Sequence, residues 1–257
     1  MTYETLKVHF DGGVCHMQID RPLANNTINE KLVVECHEVL SACEASTSVV
    51  VLSGSTSVFC FGADFKALAS ASGEMIQKHN PPGPLYDLWL RLAGGPYVTV
   101  AHVRGKVNAG GIGFVAACDL VLADESAQFS LSELLFGLYP ACVLPFLIRR
   151  IGFQKAHALT LMTHPIAARQ ASEYGLVDAV ETPSEALVRR HLLRLRRLSK
   201  PAVRRYKAYM SAIGGSLAAL KEIAVAANVE MFSDQSNLQA IRRYVDHGIF
   251  PWEEGAS

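Results

Sequence analysis

The chain has 257 residues, half of them apolar, with 24 basic and 24 acidic side chains and no net charge at pH 7. That length is enough to bury a sizeable core in one large domain or two small ones, and the even charge balance excludes a dedicated nucleic-acid binder, which carries a global positive excess. No uncharged apolar run reaches the ~20 residues that span a bilayer, and MTYETLKVHFDGG has no basic segment followed by an apolar one, so neither a membrane partner nor export is expected and the location reads as cytoplasmic.

LKVHF and VCHMQID alternate around a Gly-Gly turn and predict an opening β-hairpin. NNTINEKLVVECHEVLSACE has a polar start, Thr27 as the N-cap with Glu30 three residues on, and then apolar positions at helical spacing. SVVVLSG is short, β-branched and wholly apolar, the mark of a strand buried on both faces. FCFGADFKALAS is followed by ASGEMIQKHNPPGP, a polar stretch with Pro and Gly that reads as a mobile loop. YVTVAHV as strand, GGIGFVAACD as a glycine-led helix and LVLAD as strand then form a unit that argues for an α/β fold, a parallel sheet with helices outside. Helical patterns dominate from FQKAHALTLM onward, and no low-complexity linker divides the chain. The organisation expected is one α/β core over 1–195 and a helical C-terminal subregion over 196–257.

Six cysteines are scattered through apolar segments without a C-x-x-C pair, so buried reduced thiols are expected. No His/Cys cluster has ligand spacing, and no metal is expected. The nine histidines are equally dispersed, and His247 is assigned to the surface.

FCFGADF (59–65) and NAGGIGF (108–114) each follow a strand-like run and lead into a helix. Such starts leave backbone N–H groups unpaired, and two that converge on one point would bind a carbonyl oxygen as it becomes an enolate. Tight helix–strand packing with no ligand explains a glycine run equally well. Dinucleotide binding fits less well, because GGIG lacks the full G-x-G-x-x-G spacing.

VFCFGADFKAL, VRGKVNAGGIGFVAACDLVLADESAQFSLSE and LIRRIGFQKAHALTLMTHPIAARQASEYGLVDAV, in this order, resemble the signature blocks of the crotonase (enoyl-CoA hydratase/isomerase) superfamily over nearly the whole chain. The resemblance implies a spiral of ββα units with a helical C-terminal trimerisation subdomain, assembled as a trimer or a dimer of trimers, and a thioester enolate held by two backbone amides. By position those amides are Ala63 and Gly110. Of the two glutamates used by the family's hydratases, one falls at Glu133 and is present; the other falls at Gly113 and is missing, which tells against a plain fatty-acid hydratase. A single carboxylate still suffices to remove an acidified α-proton, and apolar surroundings such as LLFGLYP would raise its pKa toward neutrality, where a general base works best.

ANNTIN, PLYDLW, GKVNAGG, FSLSELLFGLYPACVLPFLIRRIG, HLLRLRRLSK and FPWE narrow the resemblance to the dehydratases of polyketide β-branching cassettes. Those enzymes convert 3-hydroxy-3-methylglutaryl on an acyl carrier protein to the 3-methylglutaconyl thioester. The resemblance therefore implies a lyase without a cofactor of its own, whose phosphopantetheine arrives on the carrier. An acidic carrier calls for a basic docking face. Residues 188–207, VRRHLLRLRRLSKPAVRRYK, hold nine of the 24 basic residues and no acid, with Arg189, Arg190, Arg194, Arg196 and Arg197 as docking candidates; a solvated helix face is the alternative for such a run. Tyr86, Tyr139 and Asp64 are further candidates for the acyl pocket, although an aromatic at helical spacing with Trp89 also suits a core. Lys106 or Asn108 would meet the distal carboxylate. Two other readings stand beside this one: a one-glutamate enoyl-CoA isomerase or hydratase acting on acyl-CoA, and a non-catalytic crotonase-fold binding protein.

Overall fold

The structure, a computed structural model, describes residues 2–70 and 82–253. The expected hairpin forms from β1 (Leu6–Asp11) and β2 (Val14–Ile19), antiparallel with Leu6 opposite Ile19. From β2 the sheet continues in parallel through β3 (Val49–Ser53), β5 (Val98–Val103), β7 (Leu120–Ala123) and β10 (Ala179–Val180). The pleat sends Val50 and Leu52 into the main core and Val49 and Val51 into a second cluster on the opposite face. Burial on both faces is why β3 reads as an unbroken apolar run from Val49 to Leu52. A smaller sheet combines β4 (Val58–Cys60), β6 (Lys106–Asn108), β8 (Gln128–Ser130) and β9 (Ile166–Ala167), parallel except for the β8–β9 pair.

Helix α1 (Glu30–Ser46) joins β2 to β3. Its N-cap is Asn29, whose Oδ1 accepts from the Leu32 N–H at 2.9 Å, and not Thr27 as the sequence suggested. The Thr27 hydroxyl instead donates to Asp64 at 3.1 Å, so the competing polar partner of another loop wins over the helix end. Helices α2 (Phe65–Ser70) and α3 (Pro82–Gly94) flank residues 71–81, so the loop expected over 71–84 lies outside the described residues apart from its last three, which open α3. Helix α4 (Gly110–Ala117) is buried from Gly111 to Ala117, and its apolar composition on every side is that of a helix surrounded by protein.

After α5 (Leu144–Ile151), α6 (Phe153–Met162) and α7 (Ala168–Glu173), helix α8 (Ser184–Leu195) lays Leu187, Val188 and Leu192 on the outer face of the large sheet. The boundary expected at 195/196 falls between α8 and α9 (Lys200–Ile213). The helical region beyond it grips the core: Val203 of α9 joins the outer cluster and Ala224 of α10 (Lys221–Ser233) the main one, while α11 (Gln235–His247) packs on α2. All six cysteines are buried and free. Among the described residues no group of side chains could hold a metal, and no single helix is long and apolar enough to cross a membrane.

Candidate active site

Strands β4 and β6 are parallel neighbours, so the turns that leave their C-terminal ends emerge side by side. One turn carries Gly62 and Ala63 into α2, and the other carries Ala109 into α4. They touch closely. Gly62 has φ +83°, and a Cβ on it would lie 2.6 Å from the Ala109 Cβ and 3.1 Å from the Gly110 nitrogen, so only glycine fits. Ala109 adopts φ 52° and ψ −123°, a conformation that costs about 1–3 kcal/mol and persists where surroundings enforce it; its N–H is fixed on the Ser130 carbonyl at 3.1 Å. Gly110 is the first residue of α4, where an N–H has no intrahelical acceptor. Among the described residues neither Gly110 nor Ala63 donates its N–H to another backbone group, and both border a cavity of about 1000 Å³.

Glu133 opens a 3₁₀ turn, Glu133–Phe136, just beyond β8 and borders the same cavity. The residue as a whole is partly exposed, but its carboxylate end is not: Oε2 is shut off from solvent and has no hydrogen-bond partner. Desolvation pushes the Glu133 carboxyl up to about 7, against the smaller opposing pull of the Glu133 and Ser132 backbone N–H groups. A carboxylate of that basicity exchanges protons near neutral pH. With two free amides in the same cavity, it has the parts needed to acidify and remove a proton next to a carbonyl.

Gly113, where a second carboxylate was missed in the sequence, has no room for one. A Cβ there would stand 2.4 to 2.7 Å from atoms Cζ2, Cη2 and Cε2 of Trp89. The indole occupies the space, and it borders the cavity together with Leu85 one turn earlier on α3.

Tyr86 corrects the expectation made for it. It is fully buried, donates its hydroxyl to the Leu217 carbonyl at 2.8 Å and does not border the cavity, because α3 turns Leu85 and Trp89 that way instead. Lys106 is corrected too: it sits exposed at the start of β6, away from the turn that reaches the site. Asn108, at the other end of that strand, does border the cavity. Its Nδ2 donates to Ser132 Oγ and its Oδ1 accepts from Ser130 Oγ, both at 2.9 Å, so it fixes the loop that carries Glu133 and keeps one amide hydrogen for a ligand. Asp64 borders the cavity, but its carboxylate is occupied: Oδ2 takes Arg21 Nη2 at 3.3 Å and the Thr27 hydroxyl, and Oδ1 takes the Ala67 N–H at 3.2 Å, so it fastens the Ala63 turn. Tyr139 lines the cavity and is 40% exposed.

The basic run is not one continuous surface. Lys207 is buried, donating to Asp119 at 2.8 Å and to the Leu92 and Tyr97 carbonyls. Lys200 holds the carbonyls of Cys43 and Thr47. Arg190 pairs with Glu181 and Arg196 with Asp11. Arg189, Arg194 and Arg197 are exposed on α8 and the turn after it, over the outer face of the large sheet, and do not border the cavity.

Residues 9–255 match the enoyl-CoA hydratase/isomerase family model. The chain belongs to that family. Among relatives of this enoyl-CoA hydratase/isomerase family member, the bacillaene synthase dehydratase PksH of Bacillus subtilis is 56% identical over 255 residues, covering 99% of this chain and 98% of PksH. The crystal structure of PksH superposes with a TM-score of 0.93, covering 97% of this chain and 100% of that one. An enoyl-CoA hydratase/isomerase from Xanthobacter autotrophicus Py2, 23% identical, shares the fold with a TM-score of 0.86 over 96% of this chain and 95% of its own. The crotonase fold read from the sequence blocks is the fold of this family member.

Proposed function

We propose that the protein is a hydro-lyase of polyketide assembly that dehydrates a 3-hydroxy-3-methylglutaryl thioester, carried on an acyl carrier protein, to the 3-methylglutaconyl thioester. The observation that carries the reading is one buried carboxylate facing the same cavity as two unpaired backbone amides, with the place of a second carboxylate filled by Trp89. The full-length similarity to PksH, a bacillaene synthase dehydratase, supports the reaction class.

The Ala63 and Gly110 N–H groups hold the thioester oxygen, which draws charge out of the adjacent Cα–H bond. The Glu133 carboxylate takes that proton, and the C–H electron pair moves into the enolate. As the enolate collapses, its electrons form the Cα=Cβ bond and the Cβ–O bond breaks, leaving its pair on oxygen. Glu133 then returns the same proton to that oxygen, and water departs with the enzyme restored. No cofactor takes part, because the pantetheine arm comes with the substrate; a cavity of about 1000 Å³ has room for the acyl group and the end of that arm.

The exposed Arg189, Arg194 and Arg197 are suited to the acidic face of a carrier protein. Exposed Tyr206, Tyr209, Ile213 and Ile223 on α9 and α10 give the chain an apolar surface suited to a trimer or a dimer of trimers. A carrier-dependent enzyme of this kind works in the cytoplasm.

Mass spectrometry of carrier-bound 3-hydroxy-3-methylglutarate incubated with the enzyme tests the proposal: loss of one water is expected, and Glu133→Ala lowers kcat by about 10²-fold or more. Turnover of a simple 3-enoyl-CoA with no dehydration of the carrier-bound acid would replace this reading with an isomerase acting on CoA thioesters. Changing Arg194 and Arg197 together to Glu is expected to raise KM for the carrier-bound substrate; an unaltered kcat/KM removes that surface from the proposal.

A further inference from the structure

The cavity that holds Glu133 is bordered by a second polar side chain that pairs with nothing. Trp89 is 1% exposed, and its Nε1–H has no acceptor. Protein interiors seldom leave a donor in that condition, since an unmade buried hydrogen bond carries a desolvation penalty. The ring cannot readily turn to find a partner elsewhere, because it stands edge-on to Phe114 and Phe146 at centroid separations of 5.9 and 5.7 Å and fills the gap left by Gly113. Glu133 Oε2 is unpaired as well, and both side chains border the one cavity. A donor that cannot ionise and a carboxyl that gives and takes a proton are together satisfied by an oxygen that accepts from the first and exchanges a proton with the second. A hydroxyl on the substrate's β-carbon is such an oxygen.

Resting on the dehydration read above, we infer that Trp89 is a catalytic residue whose indole N–H donates to the β-oxygen of the substrate and stabilises it as the Cβ–O bond breaks. The electron pair of that bond goes to the oxygen, the proton it receives comes from Glu133, and the indole keeps its own hydrogen throughout. A neutral donor suits this position for two reasons. It does not compete with Glu133 for the α-proton, and it adds no negative charge that would oppose ionisation of Glu133.

Two reactions of one Trp89→Phe variant separate this role from packing. The first is dehydration of carrier-bound 3-hydroxy-3-methylglutarate. The second is exchange of the α-hydrogens of 3-methylglutaryl pantetheine with D₂O, which needs Glu133 and the two amides but has no β-oxygen. The variant is expected to lose roughly 10- to 100-fold in dehydration kcat while exchange stays within about twofold of wild type. Wild-type dehydration in the variant overturns the inference, and so does an equal fall in both reactions, which would mark Trp89 as a packing residue. Wild-type enzyme that exchanges but does not dehydrate sinks the proposed function itself, and the inference falls with it. If Trp89→Phe does not fold, ¹⁵N spectra of the intact indole decide. The chain has two tryptophans, and Trp252 is exposed. In the Glu133→Gln protein, which keeps the acid intact, the buried indole resonance is expected to move with 3-hydroxy-3-methylglutaryl pantetheine and not with 3-methylglutaryl pantetheine; equal movement with both refutes the hydrogen bond.

Discussion

Glutamine in place of Glu133 separates what the buried carboxylate costs the fold from what it does for the reaction. Burial raises the Glu133 pKa from 4.5 to about 7. The gap of about 2.5 pH units, at about 1.4 kcal/mol each, means that the ionised group destabilises the folded state by about 3 kcal/mol once the pH is above 7. The folded-state value is the raised one, so the folded protein keeps the proton after the unfolded chain has lost it. Below pH 4.5 both states are protonated and stability is unaffected. Between 4.5 and 7 the unfolded chain ionises first and stability falls; above 7 the loss levels off. Glutamine has the same shape and never ionises. The stability difference between Glu133→Gln and wild type is therefore expected to grow by about 3 kcal/mol in favour of the variant from pH 4 to pH 8. Urea denaturation at a series of pH values and one fixed protein concentration measures this, the fixed concentration removing any contribution from self-association. Using the difference between two pH values also cancels any constant offset from a poorly placed amide. An offset that stays the same from pH 4 to pH 8 would falsify the claim that the carboxylate is desolvated in the folded protein. On the proposed mechanism the same proton governs turnover, so kcat/KM of the wild type is expected to fall as the pH drops below about 7, as Glu133 becomes protonated.

Three further outcomes are expected. Gly62→Ala places a Cβ 2.6 Å from that of Ala109 and 3.1 Å from the Gly110 nitrogen, so it parts the two turns and lowers kcat by about 10²-fold, measured on carrier-bound substrate. Gly113→Ala lowers stability by about 1–3 kcal/mol through its contact with Trp89; in a Trp89→Phe background the loss shrinks, and strictly additive urea midpoints would show that the ring is not what the new methyl meets. Lys207→Met removes one partner of a buried ion pair and should destabilise by about 3 kcal/mol in urea unfolding, with kcat of the folded protein unchanged.

Strands β1, β2, β3, β5 and β7 and the two glycine turns were legible in the sequence because each depends on local pattern: alternation around a Gly turn for β1 and β2, an unbroken apolar run for β3, and glycines where a helix follows a strand closely. The choice between Tyr86 and Trp89 was not. They are three residues apart on α3, and helical spacing marks an apolar stripe without saying which part of it meets packed core and which meets a cavity. Gly113 revealed a missing side chain, but the group that fills its place lies 24 positions earlier and shares no local pattern with it. The basic run misled for a related reason. Charge density along a chain does not show that Lys207 reaches Asp119, 88 residues away, or that Arg196 reaches Asp11 across 185. Thr27 and Asn29 are both good N-caps by composition, and the decision between them was made by Asp64, which belongs to a different turn.

The contact between Gly62 and Ala109 has a consequence for how this fold can change its chemistry. The two free amides are placed by main chain against main chain, at the ends of two adjacent parallel strands, and the side chain that fastens one of the turns, Asp64, does so through its own partners and not through the groups that meet the β-carbon in the proposed reaction. Side chains that face the cavity from α3 and the turn after β8 are then at liberty to vary as a separate set. On the proposed mechanism, exchanging a carboxylate at 113 for a tryptophan at 89 changes what meets the β-carbon and leaves the two amides that act on the α-carbon in place.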